Sequence, residues 1–341
     1  MKRIIVIVFI LLALIGAFIA YAVFGSGTRF GEDKKAVYIK TGSNFTDVMN
    51  QLNDQQVLQH PTIFSFVAKK LHYDKNIKPG KYVFKNGESI YAMIRTLKNG
   101  VQTPVNLVIN KLRTKEDLAK KIADNFECDS LSVIQFLYNR DSLAKYNLDT
   151  NTVMTAIIPN TYNILWNTTV PKIFRKLYYE QEKFWNTSRK EKAAAINLTT
   201  AKVYTLASII EEETNKEEDK GKIASVYLNR LETGMKLGAD PTVKYAMRDF
   251  GLKRIYQKHL TYSSPYNTYQ NTGLPPGPIC TPSSKTIDAV LNAPATSYLY
   301  FVAKPDLNGY SNFATTYEEH MQFAKAYQQV LDSIAKARAE K

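Results

Sequence analysis

From Ile4 to Phe24 the chain runs 21 residues without a charge, and such a segment has few fates in water. As a helix it is about 31 Å long, enough to cross the hydrocarbon core of a bilayer. It has no polar face to turn to solvent, as a helix on a soluble domain would have. Lys2 and Arg3 precede it, so the positive-inside rule puts residues 1–3 in the cytoplasm and everything after the span outside. The competing reading is a cleaved signal peptide, because Ala20-Tyr21-Ala22 resembles a cleavage site. The apolar run is longer than a signal core, which favours a transmembrane anchor over 4–24.

Beyond the span the chain reads as delivery and then as chemistry. Residues 25–35 lack periodicity and read as a flexible linker. Residues 36–100 alternate a strand at 36–39, helices around Phe45–Leu52 and Phe64–Leu71, a strand ending at Phe84, and a helix Ile90–Leu97 closed by Asn99-Gly100. This is a small α+β module. Residues 101–195 open on a strand at 105–109. Helices come next from Thr114 to Phe126, Leu131 to Leu143 and Pro171 to Trp185, with Thr114 as an N-cap. Residues 196–341 hold a helix pair over 198–233, closed by Gly234. A proline-rich loop region spans 236–283. A helix Ile287–Asn292, a buried strand Tyr298–Val302, a hairpin and a last helix from Tyr317 complete the chain. The class is α+β throughout the part beyond the anchor.

The chemistry concentrates at Leu206–Thr214, an apolar helical run that ends in Glu211, Glu212 and Glu213. At about 100° per residue, Val203, Leu206, Ala207, Ile210 and Thr214 share one face, a stripe turned to a core. Glu212 falls opposite, and Glu211 and Glu213 fall on the flanks. A carboxylate there can be partly desolvated, which raises its pKa and lets it serve as a general acid near neutral pH. The plainer reading is a solvated acidic cluster at a helix end, and periodicity alone does not exclude it. Two proline-rich strings stand out downstream, Ser264–Tyr269 and Gly273–Ile279. Prolines this dense stiffen a loop, as the floor of a cleft opposite a carboxylate requires. An ordinary rigid surface loop has the same composition.

Charge narrows the partners. The formal net charge is +14 over 341 residues, which suits nucleic acid, an anionic membrane or an anionic wall polymer. No run of five Lys or Arg and no zinc-finger or RNA-binding signature occurs, so nucleic acid is not expected. Cys128 and Cys280 are distant and carry no metal spacing, and four His residues are few for a metal site. No metal and no organic cofactor is expected.

Five strings, in order and at similar spacing, resemble the endolytic murein transglycosylase family (MltG-type, YceG-like). They are Ala207–Thr214, Asn229-Arg230, Gly238–Val243, Tyr266–Tyr269 and Gly273–Ile279. The resemblance covers about 30–341, with a LysM-like module over 36–100 and a YceG-like catalytic region over 101–341. It implies a bacterial inner-membrane protein whose periplasmic, or extracytoplasmic, domain cuts glycan strands between N-acetylmuramic acid and N-acetylglucosamine. The product end is 1,6-anhydromuramoyl. By the same resemblance the catalytic residue is Glu211, acting first as acid and then as base. Substrate contacts fall to Glu213, Asn229, Asp240, Tyr266, Asn267, Thr268 and Tyr269. Partners implied are peptidoglycan strands and cell-wall synthases (penicillin-binding proteins). The chain departs from the family pattern at three points. Glu212 stands where a basic residue is common, which would raise Glu211 a little as a negative neighbour. Gly238-Ala239 replaces Gln-Thr, and Asn160 replaces an acid.

Two other functions fit the same residues. One is a non-catalytic wall-binding scaffold with an inert Glu cluster. The other is a hydrolase, a muramidase using Glu211 with Asp240. Asp240 before a proline is also a common turn starter.

Overall fold

The computed structural model describes residues 2–339. Met1, the first residue of the expected cytoplasmic stub, lies outside the described residues, as do Glu340 and Lys341. The chain forms two units. The first holds residues 1–107 with 122–129 and 162–169; the second holds 108–121, 130–161 and 170–341.

The first unit begins with helix α1 (Lys2–Phe24), which contains the apolar run and has 0% of its span window buried inside the protein. Then come β1 (Lys34–Ile39), α2 (Phe45–Asp54), α3 (Pro61–Lys70), β2 (Gly80–Lys85) and α4 (Ile90–Asn99). β1 and β2 pair antiparallel in register Lys34 to Lys85 through Ile39 to Gly80. Alternation puts Val37, Ile39, Tyr82 and Phe84 on the inner face, where they meet Leu52, Phe64, Met93 and Leu97. Local signals agree with the tertiary fold: Asn44 and Asp47 form a capping box on α2, and Gly100 closes α4 at φ 68°.

The stretch expected as a free linker is not free. Gly27 and Thr28 are buried. The Thr28 hydroxyl donates to the Lys85 carbonyl at 2.7 Å, and the Gln59 amide donates to the Gly27 carbonyl at 2.9 Å. Phe30 and Asp33 are tied to Asn86. These bonds satisfy backbone groups that a flexible tether would leave to water, and composition alone does not show them. A Cβ on Gly27 would sit 2.6 Å from Ile90. We therefore expect Gly27→Val to lower the stability of this module by about 2 kcal/mol through overpacking. Thermal unfolding of the full chain in detergent measures it.

The strands β3 (Val105–Ile109) and β4 (Asn160–Ile164) form a second two-stranded sheet. Between them lie α5 (Lys115–Ala123), α6 (Ser130–Tyr138) and α7 (Arg140–Ala144). The single helix expected over 131–143 is two, because Asn139 leaves the helix and caps α7 by accepting from the Ser142 amide.

The second unit continues with α8 (Val170–Phe184), α9 (Thr187–Ala195), α10 (Thr200–Glu213), α11 (Glu217–Glu232), α12 (Asp240–Met247), α13 (Gln257–Leu260) and α14 (Ser284–Leu291). The chain ends with β5 (Tyr300–Ala303), β6 (Ser311–Ala314) and α15 (Tyr317–Ala339). The core is built around α10. Eight consecutive residues, Val203 to Ile210, are buried, so the expected one-sided stripe is a helix enclosed on every side. Helices α9, α11, α12 and α14 all pack on it. Periodicity missed this because Thr205 and Ser208 look like a polar face. Inside, Thr205 bonds the Ala201 carbonyl, and Ser208 bonds the Thr205 carbonyl while accepting the Ile279 amide at 3.0 Å. The strand expected to be buried at 298–302 is only half-buried, as one half of the β5–β6 hairpin. Both cysteines are free thiols.

Candidate active site

The three glutamates at the end of α10 differ in their surroundings more than in their sequence. The helix stops at Glu213 because Thr214 takes extended backbone. α11 and α14 pack on α10 and on each other. They decide what Glu211 and Glu213 meet, and the segment before α5 decides what Glu212 meets.

Glu211 meets hydroxyls and an ammonium. Its Oε2 accepts from the Thr286 hydroxyl, from the Ser283 hydroxyl at 3.2 Å and from Lys220 Nζ at 3.4 Å. The Lys220 side chain is itself 4% exposed and bonds Glu217 at 2.7 Å and Thr286 at 2.8 Å. Burial alone would raise the Glu211 carboxyl, but Thr286, Lys220 and Ser283 together outweigh it and hold it below the ordinary carboxylate value. The expected raised pKa at Glu211 is therefore not found. The reason is a cation and two donors from α11 and α14.

Glu212 carries its own compensation. Arg113 grips it as a two-pronged fork, Nε at 3.0 Å and Nη2 at 2.9 Å, and Lys111 Nζ lies 3.2 Å away. The acid that replaces the family's common base thus has two cations against it. It is not the negative neighbour that was expected to push Glu211 up.

Glu213 has the opposite environment from Glu211. Burial pushes its carboxyl up to about 7, with the charge of Asp240 adding to the rise and the Tyr227 hydroxyl, Arg230 and Lys244 opposing it. Tyr227, on α11, donates to Glu213 Oε1 at 2.6 Å. Asp240, exposed at the start of α12, accepts from the Tyr269 hydroxyl at 2.7 Å. The two carboxyls, two residues apart, are thus driven to opposite sides of the ordinary carboxylate value.

The remaining expected contacts divide. Tyr269 and Asp240 stand beside Glu213 and present polar atoms. Tyr266 is half-buried, its ring centroid 4.8 Å from that of Tyr245 with the planes tilted by 45°. Asn229 spends its amide on the Thr296 and Tyr298 carbonyls at 2.8 and 2.9 Å, which fastens α11 to the segment before β5. Asn267 is fully buried: its amide donates to the Leu260 and Tyr262 carbonyls, and its carbonyl accepts the Tyr269 amide. Thr268 is buried too, and its hydroxyl accepts the Ala239 amide and meets Thr242. Asn267 and Thr268 therefore shape the loop that holds Tyr269, with their side-chain polar groups bonded inside the protein.

The proline-rich loop is also placed differently from the expectation. Leu274, Pro275 and Pro276 wall a cavity of about 900 Å³ with Ala201, Lys202 and Thr205 on α10 and Leu228 and Leu231 on α11. None of the three glutamates lines it. Thr205 is eight residues before Glu213, about 12 Å along a helix. The loop is stapled to α10 by the Ile279–Ser208 bond, and Ile279 lines a second, smaller cavity with Glu212, Arg113 and Lys244.

Four contributors were not read from the sequence: Tyr227, Lys220, Ser283 and Thr286. Spacing marks Tyr227 as a core position, and its hydroxyl was the available clue, since a buried Tyr hydroxyl usually has a partner. Lys220 lies seven residues before Tyr227, hence on one face of α11. Nothing local marks Ser283 or Thr286.

Comparison with known proteins comes to the same region of the chain. The YceG-like family model matches residues 37–326. A Bacillus subtilis (strain 168) protein named endolytic murein transglycosylase is 29% identical over 306 residues, covering 85% of this chain and 84% of the relative. A Streptococcus pneumoniae serotype 2 protein of the same name is 28% identical over 324 residues, and the match covers 83% of this chain but 56% of that longer protein. A crystal structure of a YceG-like protein from Listeria monocytogenes superposes with a TM-score of 0.58 at 27% identity, covering 85% of this chain and 98% of the other.

Proposed function

The chain belongs to the YceG-like family, and from that premise we propose that it is a membrane-anchored peptidoglycan lytic transglycosylase whose acid and base is Glu213. The relatives named endolytic murein transglycosylase support the reaction class. The residue assignment rests on what each carboxyl touches: Glu213 meets the Tyr227 hydroxyl at Oε1, and burial raises it, whereas Glu211 Oε2 accepts from Thr286, Ser283 and Lys220, which hold it low.

The chemistry requires one proton carrier. Protonated Glu213 gives its proton to the glycosidic oxygen as the bond to the anomeric carbon breaks. The carboxylate left behind takes the proton of the muramic C6 hydroxyl, whose oxygen bonds to the same anomeric carbon and closes the 1,6-anhydro ring. The nucleophile is part of the substrate, so its effective concentration replaces a bound water. Tyr227 holds Oε1 and leaves Oε2 for the sugar. Asp240 faces the positive charge that develops at the anomeric centre, and Tyr269 keeps it oriented. Glu211, tied to Lys220, is a positioning residue that fixes α10 against α11 and α14. Tyr266 and Tyr269 are the ring surfaces for sugars, the module over 36–100 is LysM-like, and cell-wall synthases are its neighbours in this reading.

The test is mass spectrometry of products from uncrosslinked glycan strands in 18O water. Anhydro ends without 18O support the reading. Reducing ends carrying 18O overturn it in favour of hydrolysis, with Asp240 as the second carboxylate. Binding without cleavage makes the chain a scaffold.

The same carboxyl sets a pH dependence. Glu213 must begin protonated, so kcat is expected to fall above about pH 7, approaching tenfold per pH unit. Initial rates on a soluble glycan between pH 5 and 9 measure this. A rate that stays flat to pH 9 would remove Glu213 from the donor role.

A further inference from the structure

We infer that the outward faces of α3 and α4 are a membrane-contact surface, so that the small module lies on the bilayer that α1 crosses. The inference rests on the reading of α1 as a membrane span and goes beyond it.

The first ground is distance. α1 packs directly on α3 and α4. Ala22 is 5% exposed, and the Phe24 ring lies 5.3 Å from the Tyr91 ring of α4. Two residues separate the end of α1 from Gly27, which is already locked into the module. At no more than ~3.6 Å per residue, three steps from Phe24 to Gly27 reach about 10 Å. The headgroup layer beyond the hydrocarbon is on the order of 5–8 Å thick on each side. A module joined within that reach cannot stand clear of the membrane.

The second ground is chemistry. α3 and α4 carry Lys69, Lys70, Arg95 and Lys98, all exposed, and neither helix contains an acidic residue. Phe66 on α3 is 62% exposed and Tyr91 is 39% exposed. Lys70 Nζ sits 5.7 Å above the Phe66 ring. Aromatic rings with cations beside them are the residues that settle at a bilayer interface, ring toward the acyl boundary and ammonium at the phosphates. Anionic headgroups supply the charge that these four cations lack within the two helices.

The experiment uses the full chain reconstituted into phosphatidylcholine–phosphatidylglycerol vesicles, with and without brominated acyl chains. Phe66→Trp, Tyr91→Trp and, within the span, Ile10→Trp are read as difference emission against the parent protein. Brominated lipid is expected to cut the F66W and Y91W signals at least twofold, and both are expected to be shielded from aqueous iodide. Adding Lys69→Glu and Lys70→Glu to F66W is expected to reduce that quenching at least twofold. Quenched I10W beside unquenched, iodide-accessible F66W and Y91W overturns the inference alone and leaves the face for a glycan. Unquenched I10W overturns the anchor reading and this inference with it.

Discussion

Glu213→Gln is expected to abolish cleavage while leaving the fold intact and, above neutral pH, more stable. One residue moves both protons of the reaction, so the loss in kcat should be roughly 10³-fold. The amide keeps a carbonyl for the Tyr227 hydroxyl, so the 2.6 Å bond has its acceptor. The stability effect has a definite sign. A carboxyl at about 7 in the folded protein, against an ordinary value of 4.5, binds its proton more tightly folded than unfolded. Its favourable contribution is complete below pH 4.5 and is lost as pH rises through about 7. That loss is ~3 kcal/mol, and the neutral amide does not suffer it. The variant should therefore melt several degrees above wild type at pH 8.5 and lose that advantage at pH 4.5. Glycan product analysis beside melting curves at the two pH values measures both effects. Retained cleavage in Glu213→Gln with loss in Glu211→Gln would return the acid role to Glu211.

Glu211→Ala is expected to act on stability first. It leaves the Lys220 ammonium, 4% exposed, with only the exposed Glu217 to balance it. Removing one member of a buried pair costs about 3 kcal/mol, chiefly because the other charge stays behind unpaired. Replacing both, Glu211→Met with Lys220→Met, should recover at least half of that loss, because two apolar groups leave no orphan charge. Urea unfolding of Glu211→Met, Lys220→Met and the double variant closes the cycle. Additive losses would show that the pair is not coupled. The conservative Glu211→Gln should keep cleavage within about tenfold of wild type, since its amide can still accept from Thr286 and Ser283. A positioning role predicts that split between stability and rate; a proton-transfer role does not.

Sequence order was enough for the long apolar helix, the small α+β module and the position of the acidic cluster. Each is a local matter: an uncharged run of 21 residues, the Gly100 close of α4, and a strand alternation that matches β1 against β2. The acidic cluster was expected to organise the chain, and in the fold it ends the buried helix α10, with Asp240 bonded to Tyr269 nearby. How the surroundings of the glutamates differ was not readable. The difference depends on Lys220, nine residues after Glu211, and on Ser283 and Thr286, more than seventy residues after it. It depends also on Tyr227 across the helix pair. On a helical wheel Glu211 and Glu213 are equivalent flanks. A pKa is set by desolvation and by charges and donors within a few ångströms, and those distances exist only after α11 and α14 have packed on α10. The same packing turned Asn267 and Thr268 from expected ligand contacts into loop supports, and drew residues 26–28 from a tether into the wall of the module. The chain alone determined that three carboxyls would stand at the end of α10, and tertiary structure decided what each of them touches, because those contacts come from helices distant in sequence.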